Sequence, residues 1–213
     1  KHIPYGGYDP KGCRNFFVAT IEEALKIIKK NKKVNIYVLN GIQNYNLDLF
    51  SKNNIIPIIN TIEELQKIKK ANLKFGIHID TGINRLGIDF RNIPKYVFNN
   101  NNIKIIISHL ASADQIKNQY NKLQKKRFIE IKNKINNKNI IFSLSNSNGT
   151  VISDSYLFDL IRPGIGLYGG NHNSNKLKKN LKPILEVKAK IIQIKRIKKN
   201  EYIGYNQTYA TKK

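Results

Sequence analysis

The sequence contains no methionine and no tryptophan, and only one cysteine among its 213 residues. The lone Cys13 excludes an internal disulfide and fits a reducing compartment, so we expect a cytoplasmic protein. Apolar runs such as Ile103–Ile107 are short and are interrupted by lysine or asparagine, so no membrane-spanning segment is predicted. Because an initiator methionine is missing, we expect either a fragment or a chain trimmed at both ends.

Acidic residues are also scarce, with 14 Asp and Glu against 38 Lys and Arg and a net charge of +24. Such a charge is typical of proteins that bind nucleic acid, which is one open interpretation. Lysine, asparagine and isoleucine are all abundant, as in proteins of an AT-rich genome, and the lysines are scattered along every segment. No nucleic-acid motif accompanies them. We therefore attribute the charge to composition and expect no nucleic-acid partner.

Short apolar runs alternate with amphipathic segments over most of the chain, which has 40% hydrophobic residues. Two Thr-Ile-Glu-Glu motifs, at Thr20 and Thr61, predict capping boxes that begin helices. A long basic helix is predicted from about Gln115 to Ile135. The predicted strands are Phe16–Thr20, Val34–Asn40, Ile55–Asn60, Phe75–Asp80, Ile103–Ser108, Asn139–Leu144 and Leu157–Ile161. This alternation predicts a parallel sheet covered on both faces.

Polar clusters, three of which contain glycine, follow the later strands. They are Asp80–Gly87, His109–Asp114, Ser145–Thr150 and Arg162–Gly169. In a (β/α)8 barrel the carboxyl ends of all strands meet at one face, and the loops after the last two strands are the usual phosphate-binding place. We therefore predict, over residues 1–175, a TIM-type (β/α)8 barrel that is incomplete at its N-terminus, with its function at this face.

The pattern changes after Tyr168. Residues 176–213 are predicted to be a linker followed by the first strands of a C-terminal all-β domain, because Ile184–Ile197 alternates apolar and polar residues without a helix start signal.

The order and spacing of these segments resemble the alanine racemase family, whose members are pyridoxal-phosphate enzymes with a barrel and a C-terminal β domain. The matching segments are Gly12–Thr20, His78–Gly87, Ser108–Asp114, Ser145–Ser147, Arg162–Ile165, Leu181–Pro183 and Gly204–Tyr205. The resemblance implies an isomerase that interconverts L- and D-alanine by a two-base mechanism and supplies D-alanine for peptidoglycan of the cell wall. It also implies a homodimer with active sites shared between subunits. No metal is expected.

The resemblance assigns cofactor contacts to several residues. Arg162 resembles the arginine that faces the pyridine nitrogen of the cofactor. Ser147, its neighbour Asn146 and the backbone amides of Gly164 and Ile165 resemble the part of the site that binds the cofactor phosphate.

Further residues are expected around the cofactor ring and at the entrance of the site. Arg85 resembles the arginine that contacts the phenolic oxygen of the cofactor and the substrate carboxylate. His109 resembles the imidazole beside the ring, which links Arg162 to the catalytic tyrosine. Tyr5, in the motif that begins at Lys1, is expected to contact the cofactor. Asp114 resembles an acid at the entrance of the active site, although an isolated Asp could equally cap the following helix.

Two catalytic bases are implied. Tyr205, which would come from the neighbouring subunit and also contact substrate, resembles one of them. Lys1 has the spacing to Tyr5 of the lysine that holds the cofactor as a Schiff base, but the helix that should follow this motif is nearly absent, so the assignment stays open. A second departure is His78, where many members have a lysine that forms a carbamate, which histidine cannot do.

Three alternatives remain open from the sequence. The first is a racemase of the same fold with a broader amino-acid substrate. The second is a non-catalytic barrel that binds pyridoxal phosphate, since Lys1 is uncertain. The third is the basic nucleic-acid binder considered above.

Overall fold

A computed structural model describes residues 12–30, 33–71, 73–170 and 181–212. The chain divides into two compact units after Pro183. The predicted domain boundary near residue 175, and the candidate site residues Lys1 and Tyr5, lie outside the described residues.

The first unit is built on a seven-stranded sheet in which every paired neighbour is parallel. The strands are β1 (Asn15–Val18), β2 (Asn35–Val38), β3 (Ile55–Ile59), β4 (Phe75–Asp80), β5 (Ile88–Asp89), β6 (Ile103–Ile107) and β7 (Ile141–Ser143). They lie in the order β1-β2-β3-β4-β6-β7, and the short β5 pairs with β4. This arrangement confirms the predicted incomplete parallel barrel.

Helices connect the strands on the outer side of this sheet. They are α1 (Ile21–Lys30), α2 (Leu47–Lys52), α3 (Ile62–Lys69) and α4 (Gln119–Asn133). The predicted start of α3 is confirmed, because the Thr61 side chain accepts a hydrogen bond from the Glu64 amide at 3.1 Å. The sequence pattern did not predict α2. No helix among the described residues has the length and apolar character needed to span a membrane.

Side chains alternate between the two faces of each strand, so the sheet contributes to two hydrophobic clusters. The larger cluster lies between the sheet and the helices and includes Ile77, Ile79 and Phe128. A smaller cluster, on the inner face of the barrel, consists of Tyr37, Ile56, Ile58, Ile105 and Ile107 with their neighbours. The alternation along β4 therefore places Gly76 and His78 on the inner face.

The predicted strand Leu157–Ile161 is wrong as a regular strand. The segment forms turns, and its backbone pairs only in part. An isolated parallel bridge joins Asn146 and Arg162, and the Asp159 amide donates to the Phe142 carbonyl of β7 at 3.0 Å. The Asp159 side chain accepts a hydrogen bond from the Phe142 amide at 2.8 Å, and the Leu160 carbonyl accepts one from the Ser143 hydroxyl at 2.6 Å. Side-chain hydrogen bonds thus supplement a sparse backbone pairing with β7.

The second unit begins at Ile184. The prediction of β structure over Ile184–Ile197 is wrong, because residues 181–198 contain no strand. Alternating side chains do not form a strand without a partner for the backbone hydrogen bonds. A short antiparallel pair lies later, between β8 (Tyr202–Ile203) and β9 (Tyr209–Ala210).

Helix α4 holds two loops at the carboxyl edge of the sheet through Gln124, whose side chain is fully buried. Its amide nitrogen donates to the His109 carbonyl at 3.0 Å and to Thr81 Oγ1 at 3.3 Å. Its amide oxygen accepts from the Ala111 amide at 2.9 Å. One side chain therefore fixes the loop after β4 to the loop after β6.

We expect Gln124→Leu to lower the free energy of unfolding by about 1–3 kcal/mol, because it leaves the His109 carbonyl and the Ala111 amide without their partner. Lys122→Leu, at an exposed position of the same helix, should change it by less than about 0.5 kcal/mol. Urea unfolding of the complete protein, followed by circular dichroism, measures both. Equal stability of the two variants would contradict the role given to Gln124.

Candidate active site

Polar side chains collect where the inner face of the sheet reaches its carboxyl edge. Asn60 follows β3, His78 lies near the end of β4 and Ser143 ends β7, and all three are buried. Ser108, after β6, contributes its backbone carbonyl, because its buried hydroxyl lies 2.7 Å from Thr81 Oγ1 on the side of the sheet that α4 covers. An apolar barrel interior thus ends in a polar layer, which is where active sites of such barrels lie. Ser108, Ser143 and Asn60 were missed by the sequence reading, although each is a polar residue at the end of an apolar run.

Arg162 joins the ends of β6 and β7. One terminal nitrogen, Nη1, donates to the Ser143 carbonyl at 2.8 Å and to its hydroxyl at 2.5 Å, and the other, Nη2, donates to the Ser108 carbonyl at 2.5 Å. Desolvation lowers the pKa of Arg162 to about 10, so the guanidinium keeps its charge near neutrality. These contacts use three of its five N–H groups, and two remain available for a ligand.

His109 lies beside Asn146, with 3.4 Å between the Asn146 amide nitrogen and His109 Nε2. The Asn146 oxygen accepts a hydrogen bond from the Gly149 amide at 2.9 Å, which leaves its nitrogen to face the histidine. Nε2 of His109 is therefore the acceptor nitrogen, and Nδ1 carries the proton. Burial, and then the charges of Arg162 and Arg85, lower the pKa of His109 to about 4. His109 is neutral at physiological pH.

His78 is also held neutral. Burial, followed by the charge of Arg162, lowers its pKa to about 3. Its Nδ1 lies 3.1 Å from the side-chain oxygen of Asn60. The Asn60 nitrogen donates to the carbonyls of Leu39 and Ile58 at 2.8 and 3.0 Å, so the oxygen must face His78 as an acceptor. His78 therefore carries its proton on Nδ1.

The turn after Arg162 is built around Ser147. The Ser147 hydroxyl oxygen accepts hydrogen bonds from the amides of Gly164 and Gly166, both at 3.0 Å. Its hydroxyl hydrogen remains available as a donor. The Ile165 amide has no hydrogen-bond partner within the described part of the chain. A Cβ atom added at Gly164 would meet nothing within 4 Å, so open space lies beside these donors.

Arg85 lies in the loop after β4, close enough for its charge to affect both histidines. Asp80 shapes the start of this loop by accepting hydrogen bonds from the amides of Gly82 and Ile83, at 2.7 and 2.9 Å. The Arg85 side chain is exposed and makes no hydrogen bond to the residues that the structure describes.

Two further predicted site residues belong to the loop before α4 and to the second unit. Asp114 is half-buried in the loop before α4, and the alternative that it caps this helix is wrong, because Asn118 is the cap. Tyr205 belongs to the second unit, where it lies between β8 and β9 and is 97% exposed. In the described residues Arg162 makes no hydrogen bond to His109.

The two neutral histidines predict a loss of stability in acid. The unfolded chain takes up protons below the ordinary histidine pKa of 6.5, whereas the folded chain does so only near 4 for His109 and near 3 for His78. The contribution of the two neutral histidines to the free energy of unfolding is therefore complete above about pH 6.5. It is lost as the pH falls towards the folded-state pKa values of about 4 and about 3. The free energy of unfolding should decrease by roughly 1 kcal/mol per histidine per pH unit.

Urea unfolding of the complete protein at about pH 7 and about pH 5 measures this decrease, and His78→Gln should reduce it by about half. An unchanged pH dependence in His78→Gln would contradict the neutral state assigned to this residue.

Comparisons with known proteins give the family of the chain. A family profile described as "Alanine racemase, N-terminal domain" matches residues 8–172. Alanine racemase of Rickettsia canadensis is 36% identical over 215 residues, which cover 95% of this chain and 58% of that protein. Alanine racemase of Brucella suis is 31% identical over 223 residues, which cover 93% of this chain and 56% of that protein. The chain thus spans less than two thirds of these relatives.

A solved structure shows the same fold. The crystal structure of alanine racemase from Bartonella henselae, which contains covalently bound pyridoxal phosphate, matches with a TM-score of 0.76 and 32% sequence identity. The match covers 94% of this chain and 58% of that one. The parallel barrel and the extent of these matches show that the chain belongs to the alanine racemase family.

Proposed function

We propose that this chain is the cofactor-binding part of an alanine racemase, which interconverts L- and D-alanine with pyridoxal 5'-phosphate and supplies D-alanine for peptidoglycan. The observation that carries the proposal is the polar layer at the carboxyl edge of the barrel, where Arg162, His109 and Ser147 lie on adjacent strand ends. The named relatives and the cofactor in the Bartonella henselae structure support it.

The residues beside Ser147 fit a phosphate group. The Ser147 hydroxyl and the Ile165 amide are donors without an acceptor among the described residues, and they lie next to the open space at Gly164. Uncommitted hydroxyl and amide donors on a loop at this face of a barrel suit an oxyanion. The Ser147 hydroxyl and the Ile165 amide would therefore hold the phosphate. The expected Gly164 amide already donates to Ser147, so Gly164 would contribute the open space beside them, and Asn146 would orient His109.

Arg162 would face the ring nitrogen of the cofactor. When bound, pyridoxal phosphate supplies an electron sink that makes the α-hydrogen of an amino acid acidic. Arg162 stays protonated near neutrality, and a guanidinium has no lone pair to offer, so it can only donate to that nitrogen. The ring nitrogen would remain unprotonated, which limits the strength of the sink and suits a reaction that returns the proton to the same carbon.

Two bases would exchange the proton of the α-carbon, one on each face. Tyr205 would serve one face, and the cofactor-binding lysine, for which Lys1 is the candidate, would serve the other. Arg85 would hold the substrate carboxylate and the phenolic oxygen of the cofactor, Tyr5 would also contact the cofactor, and Asp114 would lie at the entrance.

We propose a cytoplasmic homodimer in which Tyr205 reaches the site of the neighbouring subunit. The pair formed by Tyr202–Ile203 and Tyr209–Ala210 supports a β domain that begins after about residue 175.

We expect nonspecific nucleic-acid binding to be weak, because scattered lysines neutralise few phosphates together.

We expect Tyr205→Phe in the complete dimer to reduce racemisation by roughly 10²–10⁴-fold, because a positioned general base is lost while the ring is kept. Exchange of the α-hydrogen with solvent deuterium should persist for D-alanine and nearly stop for L-alanine, since the family resemblance assigns the tyrosine to the L-enantiomer. Nuclear magnetic resonance on each enantiomer measures the exchange.

Equal residual exchange from both enantiomers would refute the two-base assignment. A wild-type protein that binds pyridoxal phosphate but racemises no amino acid would instead support a non-catalytic carrier. Racemisation of other amino acids at rates comparable to alanine would indicate the broader-specificity alternative.

A further inference from the structure

Helix α4 carries a row of polar side chains that face the loop containing Arg85. Tyr120, Gln124 and Arg127 follow each other at spacings of four and three residues, so they lie on the same side of the helix. Gln124 is fully buried, and Tyr120 and Arg127 are half-buried. Polar groups that leave water need hydrogen-bond partners, and all three side chains find them in one place.

That place is the start of the loop after β4. The Tyr120 hydroxyl donates to the Gly82 carbonyl at 2.8 Å, and Arg127 Nη1 donates to the Thr81 carbonyl at 2.7 Å. Gln124 donates to Thr81 Oγ1, as described above. A Cβ atom added at Gly82 would clash with the Tyr120 hydroxyl, so the helix packs directly on the backbone there. Side chains of α4 therefore bind two successive carbonyls of the loop.

Arg127 also contacts the segment that ends the loop. Its guanidinium carbon lies 4.6 Å from the centre of the Phe90 ring, and Phe90 directly follows β5. The Phe90 amide donates to the Asp80 carbonyl at 3.1 Å, which closes the loop onto the end of β4. Residues 84–86 are exposed between these two fixed ends. Arg85 therefore lies on a short exposed stretch whose two ends are both in contact with Arg127.

We propose that Tyr120 and Arg127 are positioning residues that fix the backbone from which Arg85 reaches the carboxylate of the substrate. The proposal rests on the proposed function, in which Arg85 holds that carboxylate. The Arg85 side chain has no hydrogen bond to the described residues, so its place depends on the backbone that carries it. Misplacing a binding group by about 1 Å costs up to roughly 10²-fold in rate. Because a hydrogen bond from a charged donor is the stronger kind, Arg127 should contribute more than Tyr120.

The test measures binding of propanoate to the complete protein saturated with pyridoxal phosphate. Propanoate has the carboxylate of alanine but no amino group, so it cannot react. Arg127→Met, which removes the donors and keeps an unbranched side chain, should raise the dissociation constant, measured by calorimetry, about tenfold. Tyr120→Phe should raise it about threefold. Arg127→Lys, which can still donate to a carbonyl, should stay within about threefold of the wild type.

Lys126→Met is the matched control, because it removes one positive charge at an exposed position of the same helix. It should leave the dissociation constant unchanged. If Arg127 acts through Arg85, the variant with both Arg127→Met and Arg85→Lys should bind propanoate no more weakly than Arg85→Lys alone. Losses that multiply, or equal constants in Arg127→Met and Lys126→Met, would overturn the proposal. A lower unfolding temperature of Arg127→Met with unchanged propanoate binding would also overturn it, by assigning Arg127 a purely structural role.

Hydrogen–deuterium exchange reports the position of the loop without ligand or catalysis. The amides of Gly82 and Ile83, which donate to Asp80, should exchange faster in Arg127→Met than in Lys126→Met, as measured by mass spectrometry of the loop peptide. Equal exchange in these two variants would contradict the proposal.

The outcomes separate this inference from the proposed function. If the wild type binds propanoate but does not racemise alanine, the proposed function fails, whereas the propanoate cycle still decides the role of Arg127. If the wild type racemises alanine and all α4 variants bind propanoate equally, the function stands and the inference fails. A wild type that binds no propanoate would overturn the inference together with the role proposed for Arg85.

Discussion

The Arg162 guanidinium connects the ends of two strands and sets the protonation of the side chains around it. Its hydrogen bonds to Ser143 and Ser108 tie β7 to β6 at the point where the apolar interior of the barrel gives way to polar residues. Desolvation brings the Arg162 pKa down to about 10, which still leaves the charge in place near neutrality. That charge adds to burial in keeping His78 and His109 neutral. Arg162 thus stays positively charged, whereas His78 and His109 near it are neutral.

Two asparagines complete this arrangement by choosing the tautomer of each histidine. Asn60 is held by the carbonyls of Leu39 and Ile58, and Asn146 is held by the Gly149 amide. Each amide can therefore face its histidine in one way only, and both imidazoles present Nε2 as an acceptor. The site combines fixed donors, at Arg162 and Ser147, with fixed acceptors, at His78 and His109. Such preorganisation means that little has to rearrange when a charged ligand binds.

Residues that follow an apolar run were predictable from the sequence, because the ends of parallel strands meet at one edge. The clusters that contain Arg162, His109 and Ser147 were found in this way, and the resemblance to the family singled out these residues within them. The side chains that support them were not predictable: Gln124 reads like any polar residue of a basic helix, and only the packing of α4 shows that it is buried. The pattern of Leu157–Ile161 indicated a strand, but Asp159 takes over a backbone contact there. The alternation in Ile184–Ile197 gives no information about a pairing partner, without which a strand does not form.

The central claim is that the polar layer around Arg162 binds pyridoxal phosphate. A crystal structure of the complete protein with this cofactor tests it most directly. The account predicts the phosphate within hydrogen-bond distance of the Ser147 hydroxyl and the Ile165 amide, and the ring nitrogen within hydrogen-bond distance of an Arg162 N–H group. A cofactor bound with its phosphate elsewhere, or with its ring nitrogen facing a carboxylate instead of Arg162, would contradict the account.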